Sequence, residues 1–359
     1  MQTALALASR TLGQVWPNPA VGCVIVKEGH VVGRGWTRRG GRPHAETEAL
    51  AVAGDLAKGA TLYASLEPCN HFGKTPPCAE AIIAAGLARV VVAVGDPDPR
   101  VNGGGLARLR QAGIEVSVGV RAEEAAELNA GFFLRCMKNR PLFTLKMATS
   151  LDGRIATRTG QSKWITGKLA RRVVHRMRSS HDAVLVGSQT ALADDPDLGC
   201  RLPGMSNRSP VRIIVDRRLR LTVASRLVMT AAHMPTWVVT QPDADADTRA
   251  ELARHGVTLL LLEPRMPARL DPQDIAQALG ERGLTRVLIE GGGRLAASFL
   301  TAGLIDRLAW FHAPRILGAD AVPAAAALGE DALDRAPTFQ RYDVAPLGDD
   351  VLEMLRRVS

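Results

Sequence analysis

The chain has only five cysteines in 359 residues, an odd number and widely scattered. A disulfide framework is therefore not expected to be the source of stability. Long hydrophobic runs are also missing. The apolar stretch around 257–262, like every other in the chain, is far shorter than the roughly 20 residues a membrane span needs. The N-terminus lacks the cationic, apolar and small-residue succession of an export signal, so a cytoplasmic location is expected. No cationic run exceeds two residues, although the net charge is +9. Of 45 basic residues 38 are arginine, and they are dispersed. Dispersed charge argues for solubility and for steering small anionic ligands rather than for a binding stripe. Neither nucleic acid nor a membrane is expected as a partner. Tandem repeats are absent, and the one low-complexity tract is a short alanine run at 324–327.

What is present suits a globular chain of two or three domains, with 46% hydrophobic and 23% charged residues. Residues 2–13 read as an amphipathic helix, and "VGCVIVKEGHVVGRGW" as a hairpin turning at Glu28-Gly29. "HAETEALAVAG" reads as a helix opened by His44 and stopped by Gly54. "ATLYASLEPC" reads as a strand ending at Glu67-Pro68, and "CAEAIIAAG" as a helix from Cys78 to Gly86. There follow the strand "RVVVAV", a glycine turn at 103–105, the helix "LARLRQAG", the strand "IEVSVG" and a closing helix from Ala122 to Met137. Lys138-Asn139-Arg140-Pro141 is a polar break, giving expected domains 1–138 and 141–359. The second half alternates again, with strands "LFTLKMA", "DAVLVG", "VRIIVD", "TWVVT", "VTLLLL" and "RVLIEGG". "DRLAWFHAP" and "TFQRYDVAPL…DVLEML" read as antiparallel additions, and "RLPGMSNRSP" as a surface loop. Such alternation predicts an α/β protein with mostly parallel sheets.

His44-Ala45-Glu46, Pro68-Cys69 and Cys78 carry the strongest chemical pattern. One imidazole and two thiolates form a three-ligand set suited to zinc, with the fourth position open to water. Zinc lowers the pKa of that water toward neutrality. His-x-Glu followed by Pro-Cys…Cys is the pattern of zinc nucleobase deaminases. Glu46 is the candidate proton shuttle, a role one carboxylate can fill for both the attacking water and the leaving amine. Glu48 lies roughly 200° further around the helix and should face away. The bland alternative is a buried histidine and inert core cysteines. Cys78 at a helix start, where the dipole favours a thiolate, speaks for the metal. Cys23, Cys136 and Cys200 read as small apolar fillers.

The two cysteines are nine positions apart instead of the usual three. Together "PNPAVGCVIV", "GRPHAETEAL" and "SLEPCNHFGKTPPC" resemble the deaminase half of the bifunctional riboflavin-biosynthesis deaminase/reductase family. "SLDGRIA", "SKWIT", "ALADDP" and "IEGGG" extend the resemblance over essentially the whole chain. The chain begins slightly inside the point where members of that family usually start, so either a short first helix or a start codon assigned late is expected. The resemblance implies a cytidine-deaminase-like α/β/α sandwich followed by a dihydrofolate-reductase-like α/β domain that uses NADPH. It implies a phosphorylated pyrimidine as substrate, and a homo-oligomer is expected. It makes Asn18 a base contact, where a plain turn residue is the alternative. His71 and Lys74, in the insert between the cysteines, are suitable cations for the substrate phosphate, or incidental charges on a solvated loop.

In the second half there is no G-x-G-x-x-G. Glu290-Gly291-Gly292-Gly293 follows a strand and opens a helix. Its three glycines would admit a diphosphate to the backbone N–H groups, or form an ordinary loop. By resemblance Ala148, Trp164, Thr190 and Asp194 match cofactor contacts. Ser162, Arg178, Leu198, Arg201 and Glu290 match substrate contacts, with Arg178 and Arg201 placed to grip the ribose phosphate. Trp164 could equally be core packing. Arg217 and Arg218, after "VRIIVD", could hold the phosphate that distinguishes NADPH from NADH. Arg217 departs from the small polar residue usual in the family. Lys146 and Asp152 are candidate proton donors for reduction of the opened sugar. Their alternatives are a surface lysine and a cap on the Gly153 turn. A deaminase of another pyrimidine or of a nucleic-acid base, carrying a non-catalytic C-terminal half, is the competing function.

Overall fold

The computed structural model describes residues 1–73, 76–265, 269–329 and 331–358. The chain divides into two compact units, Met1–Arg140 and Pro141–Ser359.

In the first unit α1 (Gln2–Ser9) is followed by β1 (Gly22–Lys27) and β2 (His30–Trp36). Then come α2 (Ala45–Ala53), β3 (Thr61–Ala64), α3 (Cys78–Ala84), β4 (Arg89–Val92), α4 (Gly104–Gln111), β5 (Glu115–Val118), α5 (Ala122–Leu128) and α6 (Ala130–Lys138). The strands form one sheet in the order β2-β1-β3-β4-β5. β1 is antiparallel to both β2 and β3, while β3, β4 and β5 are parallel. This sheet is mixed, not mostly parallel as expected: a two-residue turn joins β1 to β2, and parallel pairing returns only where helices cross over. Alternation along the strands separates two faces. Cys23, Ile25, Leu62, Ala64, Val90 and Val92 join α2, α3 and α4 in the main core. Val24 meets Ala4 and Leu7 of α1 on the other face.

Two expected helices differ. The first ends at Ser9 rather than at residue 13. The one expected from Ala122 to Met137 is broken at Asn129. That buried amide leaves the helix pattern to donate to Ala20 O (3.0 Å) and accept from Ala20 N (2.9 Å).

The second unit runs β6 (Leu142–Thr149), β7 (Arg154–Ala156), α7 (Lys168–Ser179), β8 (Ala183–Gly187), α8 (Ser188–Asp194), β9 (Val211–Val215), α9 (Arg226–Met229), β10 (Thr236–Thr240) and α10 (Ala246–Arg254). It continues with β11 (Thr258–Leu261), α11 (Pro272–Glu281), β12 (Arg286–Glu290), α12 (Gly293–Thr301), β13 (Ile305–His312), β14 (Val322–Pro323), β15 (Phe339–Leu347) and β16 (Asp350–Arg357). A nine-stranded sheet has the order β11-β10-β9-β8-β12-β6-β13-β16-β15, and β7 pairs with β14 beside it. Seven strands, from β11 to β13, are parallel neighbours. β13, read from the sequence as antiparallel, is parallel to β6 because α12 carries the chain back across the sheet before it starts. Only β16 and β15 are antiparallel additions. One face packs Val184, Val186, Ile214, Val238, Leu288, Ala309 and Phe311. On the other, Phe143 meets Phe299 of α12 edge to face at 5.1 Å.

Arg212 of β9 is fully buried, and among the described residues its guanidinium is held by neutral acceptors. Its guanidinium donates to the carbonyls of Asp197, Leu227 and Met234 and to the hydroxyls of Thr230 and Thr236.

Candidate functional site

His44 is the N-cap of α2, and Cys78 is the first residue of α3. Cys69 follows the extension of β3. One ligand atom from each of these three residues lies within 4.8 Å of the others. His44 Nδ1 is 3.3 Å from Cys78 Sγ and 3.6 Å from Cys69 Sγ, and the Cys78 N–H donates to Cys69 Sγ (3.4 Å). The Cys78 thiol and the His44 ring, both bonded to Cys69, push its thiol down to about 4 despite burial. The Cys78 thiol is correspondingly pushed up. The pocket therefore already stabilises one thiolate beside an imidazole, and this donor set fits a zinc ion.

Glu46, the second residue of α2, is buried and lies within hydrogen-bonding reach of the Cys78 thiol. Burial raises its carboxyl to about 7. Glu48 turns outward and pairs with Arg38 at 2.6 Å. Asn18 sits between two prolines, with its side chain packed over Gly41 in the turn that leads to His44. In the insert, His71 lies within reach of the Asp98 charge, and its buried Nδ1 has no partner among the described residues. Lys74 lies outside the described residues. Sequence reasoning missed Asp96, a buried carboxyl that burial raises to about 6 and that feels the Cys69 charge. Its "DPDP" context looks like an ordinary turn.

In the second unit the residues gather at the C-terminal ends of the parallel strands, the usual location of ligand crevices in open α/β sheets. Lys146, on β6, is partly buried rather than a surface lysine, and its Nζ is 5.9 Å from the Phe311 ring centroid. Burial pushes its ammonium pKa down, opposed by Glu290 and reinforced by Arg178. Arg178 Nε and Nη2 donate to the two carboxylate oxygens of Glu290 (2.6 and 2.8 Å), and Nη1 donates to Gly199 O (3.0 Å). Burial opposes ionisation of Glu290, but Arg178 outweighs it and holds the carboxyl below its ordinary range. In this structure the Arg178 guanidinium, expected to grip a phosphate, is bonded to Glu290 and Gly199 O, so Arg178 and Glu290, both expected substrate contacts, form one pair. Arg201 is exposed, and its N–H donates to His175 Nδ1 (3.2 Å). Leu198, beside it, is buried with φ of 61°. His175, which sequence reasoning also missed, reaches this segment from α7.

Asp152 is exposed, and its carboxylate is already bonded within the protein. Its carboxylate accepts from Ser150 Oγ (2.6 Å) and from the N–H groups of Leu317 and Gly318. These bonds hold it at about 2. These contacts favour the turn-cap alternative for Asp152, and a carboxylate that stays ionised is a weaker proton donor than Lys146.

Gly291 and Gly292 have φ of 92° and 84°, and a Cβ on Gly293 would stand 3.1 Å from Pro323 O. Thr190 of α8 closes on this turn, with Oγ1 3.3 Å from where a Gly292 Cβ would be. The first turn of α12 has no side-chain cap, so its N–H groups suit an anion. Asp194 is exposed at the end of α8, Ser162 is partly buried in a loop, and Ala148 packs at the edge of the core. Trp164 is 64% exposed and carries Arg171 over its ring at 4.3 Å, which removes the core-packing reading. Arg217 Nη1 donates to Gln241 Oε1 (2.9 Å), and Arg218 is exposed. Arg220, not singled out from the sequence, bonds Ser188 at the start of α8.

Residues 1–94 match the cytidine and deoxycytidylate deaminase zinc-binding region, and residues 141–352 match the RibD C-terminal domain. The chain is 43% identical to the riboflavin biosynthesis protein RibD of Aquifex aeolicus, over 99% of this chain and 97% of that one. It is also 43% identical to the Escherichia coli protein of that name, over 98% and 96%. Among solved structures, Acinetobacter baumannii RibD is similar with a TM-score of 0.89 at 39% identity, covering 100% of this chain and 98% of the other. A diaminohydroxyphosphoribosylaminopyrimidine deaminase/5-amino-6-(5-phosphoribosylamino)uracil reductase from Thermotoga maritima is similar with a TM-score of 0.87 at 37% identity, covering 100% and 97%. These matches span both halves and leave no room for an unrelated C-terminal partner domain. A zinc-type deaminase unit, followed without interruption by the matching reductase unit, makes this chain a member of the RibD family of riboflavin-biosynthesis proteins.

Proposed function

We propose that the chain performs two successive steps of riboflavin biosynthesis. Residues 1–138 hydrolytically deaminate 2,5-diamino-6-(5-phosphoribosylamino)pyrimidin-4-one. Residues 141–359 reduce the product to 5-amino-6-(5-phosphoribitylamino)uracil with NADPH. The observation that carries the reading is the convergence of His44, Cys69 and Cys78 beside the buried Glu46, in a chain matched end to end by RibD proteins.

Zinc held by His44, Cys69 and Cys78 supplies, when bound, a water acidic enough to act as nucleophile at neutral pH. Glu46 takes a proton from that water and delivers one to the departing amine, so the carboxylate ends as it began. Asn18 orients the base edge, and His71 with Lys74 serves the phosphate. NADPH, when bound, supplies the hydride for the second step. The α12 opening and Thr190 hold its diphosphate, with Ala148, Trp164 and Asp194 completing its site. Arg217 and Arg218 serve its extra phosphate. Arg201, Ser162 and Leu198 receive the substrate, while the Arg178–Glu290 pair shapes the floor. Lys146, with its ammonium destabilised by burial, delivers the proton.

A small phosphorylated pyrimidine as partner, rather than nucleic acid, agrees with the dispersed arginines. A cytoplasmic homo-oligomer completes the reading. Among the described residues no helix is long and apolar enough to cross a membrane. Metal content and turnover measured on one purified sample test the proposal. About one zinc per chain is expected, with NADPH oxidation on the diamino substrate only after ammonia release. NADPH oxidation without ammonia release, or zinc-free deamination, would sink it.

A further inference from the structure

Glu67 stands at the end of the strand that delivers Cys69, yet no step above uses it. Its buried carboxylate accepts four backbone N–H groups. Oε1 accepts from Gly105 (3.0 Å) and Leu106 (3.3 Å), and Oε2 from Gly103 (3.1 Å) and Asp96 (3.3 Å). Three of these donors open α4, whose N-cap, Gly103, has no side chain to offer. The carboxylate supplies the missing acceptor and meets the positive end of the helix.

The main chain around it is held as closely. Glu67 N donates to Val94 O (3.0 Å), and Ala79 N donates to Cys69 O (3.2 Å). Pro68 O lies 1.9 Å from where a Cβ on Gly105 would stand, so the helix opening can press against this turn only through glycine. Cys69 is thus fixed from α3 on one side and from α4 on the other. The second fixing runs through a single carboxylate.

We infer that Glu67 is a positioning residue of the metal centre, holding the Cys69 turn in place through the amides of residues 103–106. The inference rests on the zinc-deaminase reading above. Glu67→Gln keeps the volume, but its amide NH2 would face N–H donors, so the variant loses half the acceptor surface and the charge.

The test is the rate of zinc transfer to a chromophoric chelator, read well below the unfolding temperature, with deaminase kcat and KM at saturating zinc. Glu67→Gln should release zinc about ten- to a hundredfold faster, the scale for partners that orient metal ligands. Its kcat should fall while KM stays near the wild-type value, and NADPH oxidation with supplied deaminated substrate should be unchanged. Gly105→Ala, which displaces Pro68 without touching a charge, should give the same pattern. A lower Tm with wild-type zinc release and kcat would mean a purely structural role and overturn the inference. If both variants fail to fold, amide exchange of the wild-type protein decides. Removing zinc should accelerate exchange at Asp96, Gly103, Gly105 and Leu106 but not at Leu62 or Val90. Unchanged exchange at those four amides overturns it. A wild-type protein without stoichiometric zinc would remove the parent reading, and this one with it.

Discussion

Glu46 and Glu48 are two positions apart on one helix and meet opposite environments, one sealed beside the thiols and one on the Arg38 guanidinium. Glu46→Gln keeps the shape and removes the proton carrier. Zinc should be retained, and deamination should fall at least about a hundredfold; ammonia release and metal analysis on the same sample check both. His181 offers a second test. It is fully buried, with Nδ1 2.7 Å from Met177 O and Nε2 3.1 Å from Thr144 Oγ1, and burial lowers it to about 4. The unfolded chain binds this proton below about 6.5 and the folded chain only below about 4. The stabilisation is therefore complete above the unfolded value and lost as pH falls through that window. Urea unfolding of the second unit should show about 2 kcal/mol lost between about pH 6.5 and 5, and His181→Gln should lack that increment. The convergence of His44, Cys69 and Cys78 beside a buried Glu46 was legible in sequence because zinc chemistry dictates residue type and order. The long-range contacts of Asp152 and Arg178 were not. Their partners, Leu317 and Gly318 for one and Glu290 for the other, lie more than a hundred residues away, and nothing local reveals that their hydrogen-bonding capacity is already used.

At the scale of elements, alternation of apolar residues located nearly every strand but carried no direction. That is why β13 was misread, and why the first sheet was expected to be more parallel than it is. The break at Asn129 escaped for a related reason, because its stabilising partner is Ala20. The ends of elements are where ligands meet backbone. The end of β9 makes a prediction about cofactor choice. Arg217 is tethered lightly by Gln241 and Arg218 is exposed, so both charges are available to a phosphate. Replacing both with serine should raise the NADPH KM about ten- to a hundredfold, the equivalent of one lost charge-assisted contact, and leave NADH nearly untouched. Steady-state kinetics with the two cofactors make the comparison. Equal losses for both would move the extra phosphate to another part of the site.

At the scale of the molecule, each unit has its own sheet and its own core, so the two activities should fail separately. Cys69→Ser should lose zinc and deamination while reduction of supplied deaminated substrate persists within about twofold, less than 1 kcal/mol in a barrier. Stoichiometric zinc in that variant, by elemental analysis, would reject Cys69 as a ligand. The polar break at 138–141 lies where one compact unit gives way to the next, since composition changes where a chain leaves one core for another. The interior polar contacts of the second unit were invisible in sequence, Arg212 above all. That guanidinium ties the carbonyls of Asp197, Leu227 and Met234 to the hydroxyls of Thr230 and Thr236. None of these segments can swing out alone without stranding a cation or a carbonyl in an apolar interior. The stretch 197–236 should therefore open as one cooperative unit in native-state fluctuations, and native-state amide exchange should give its slowest amides a single opening free energy although they lie on different strands, turns and helices.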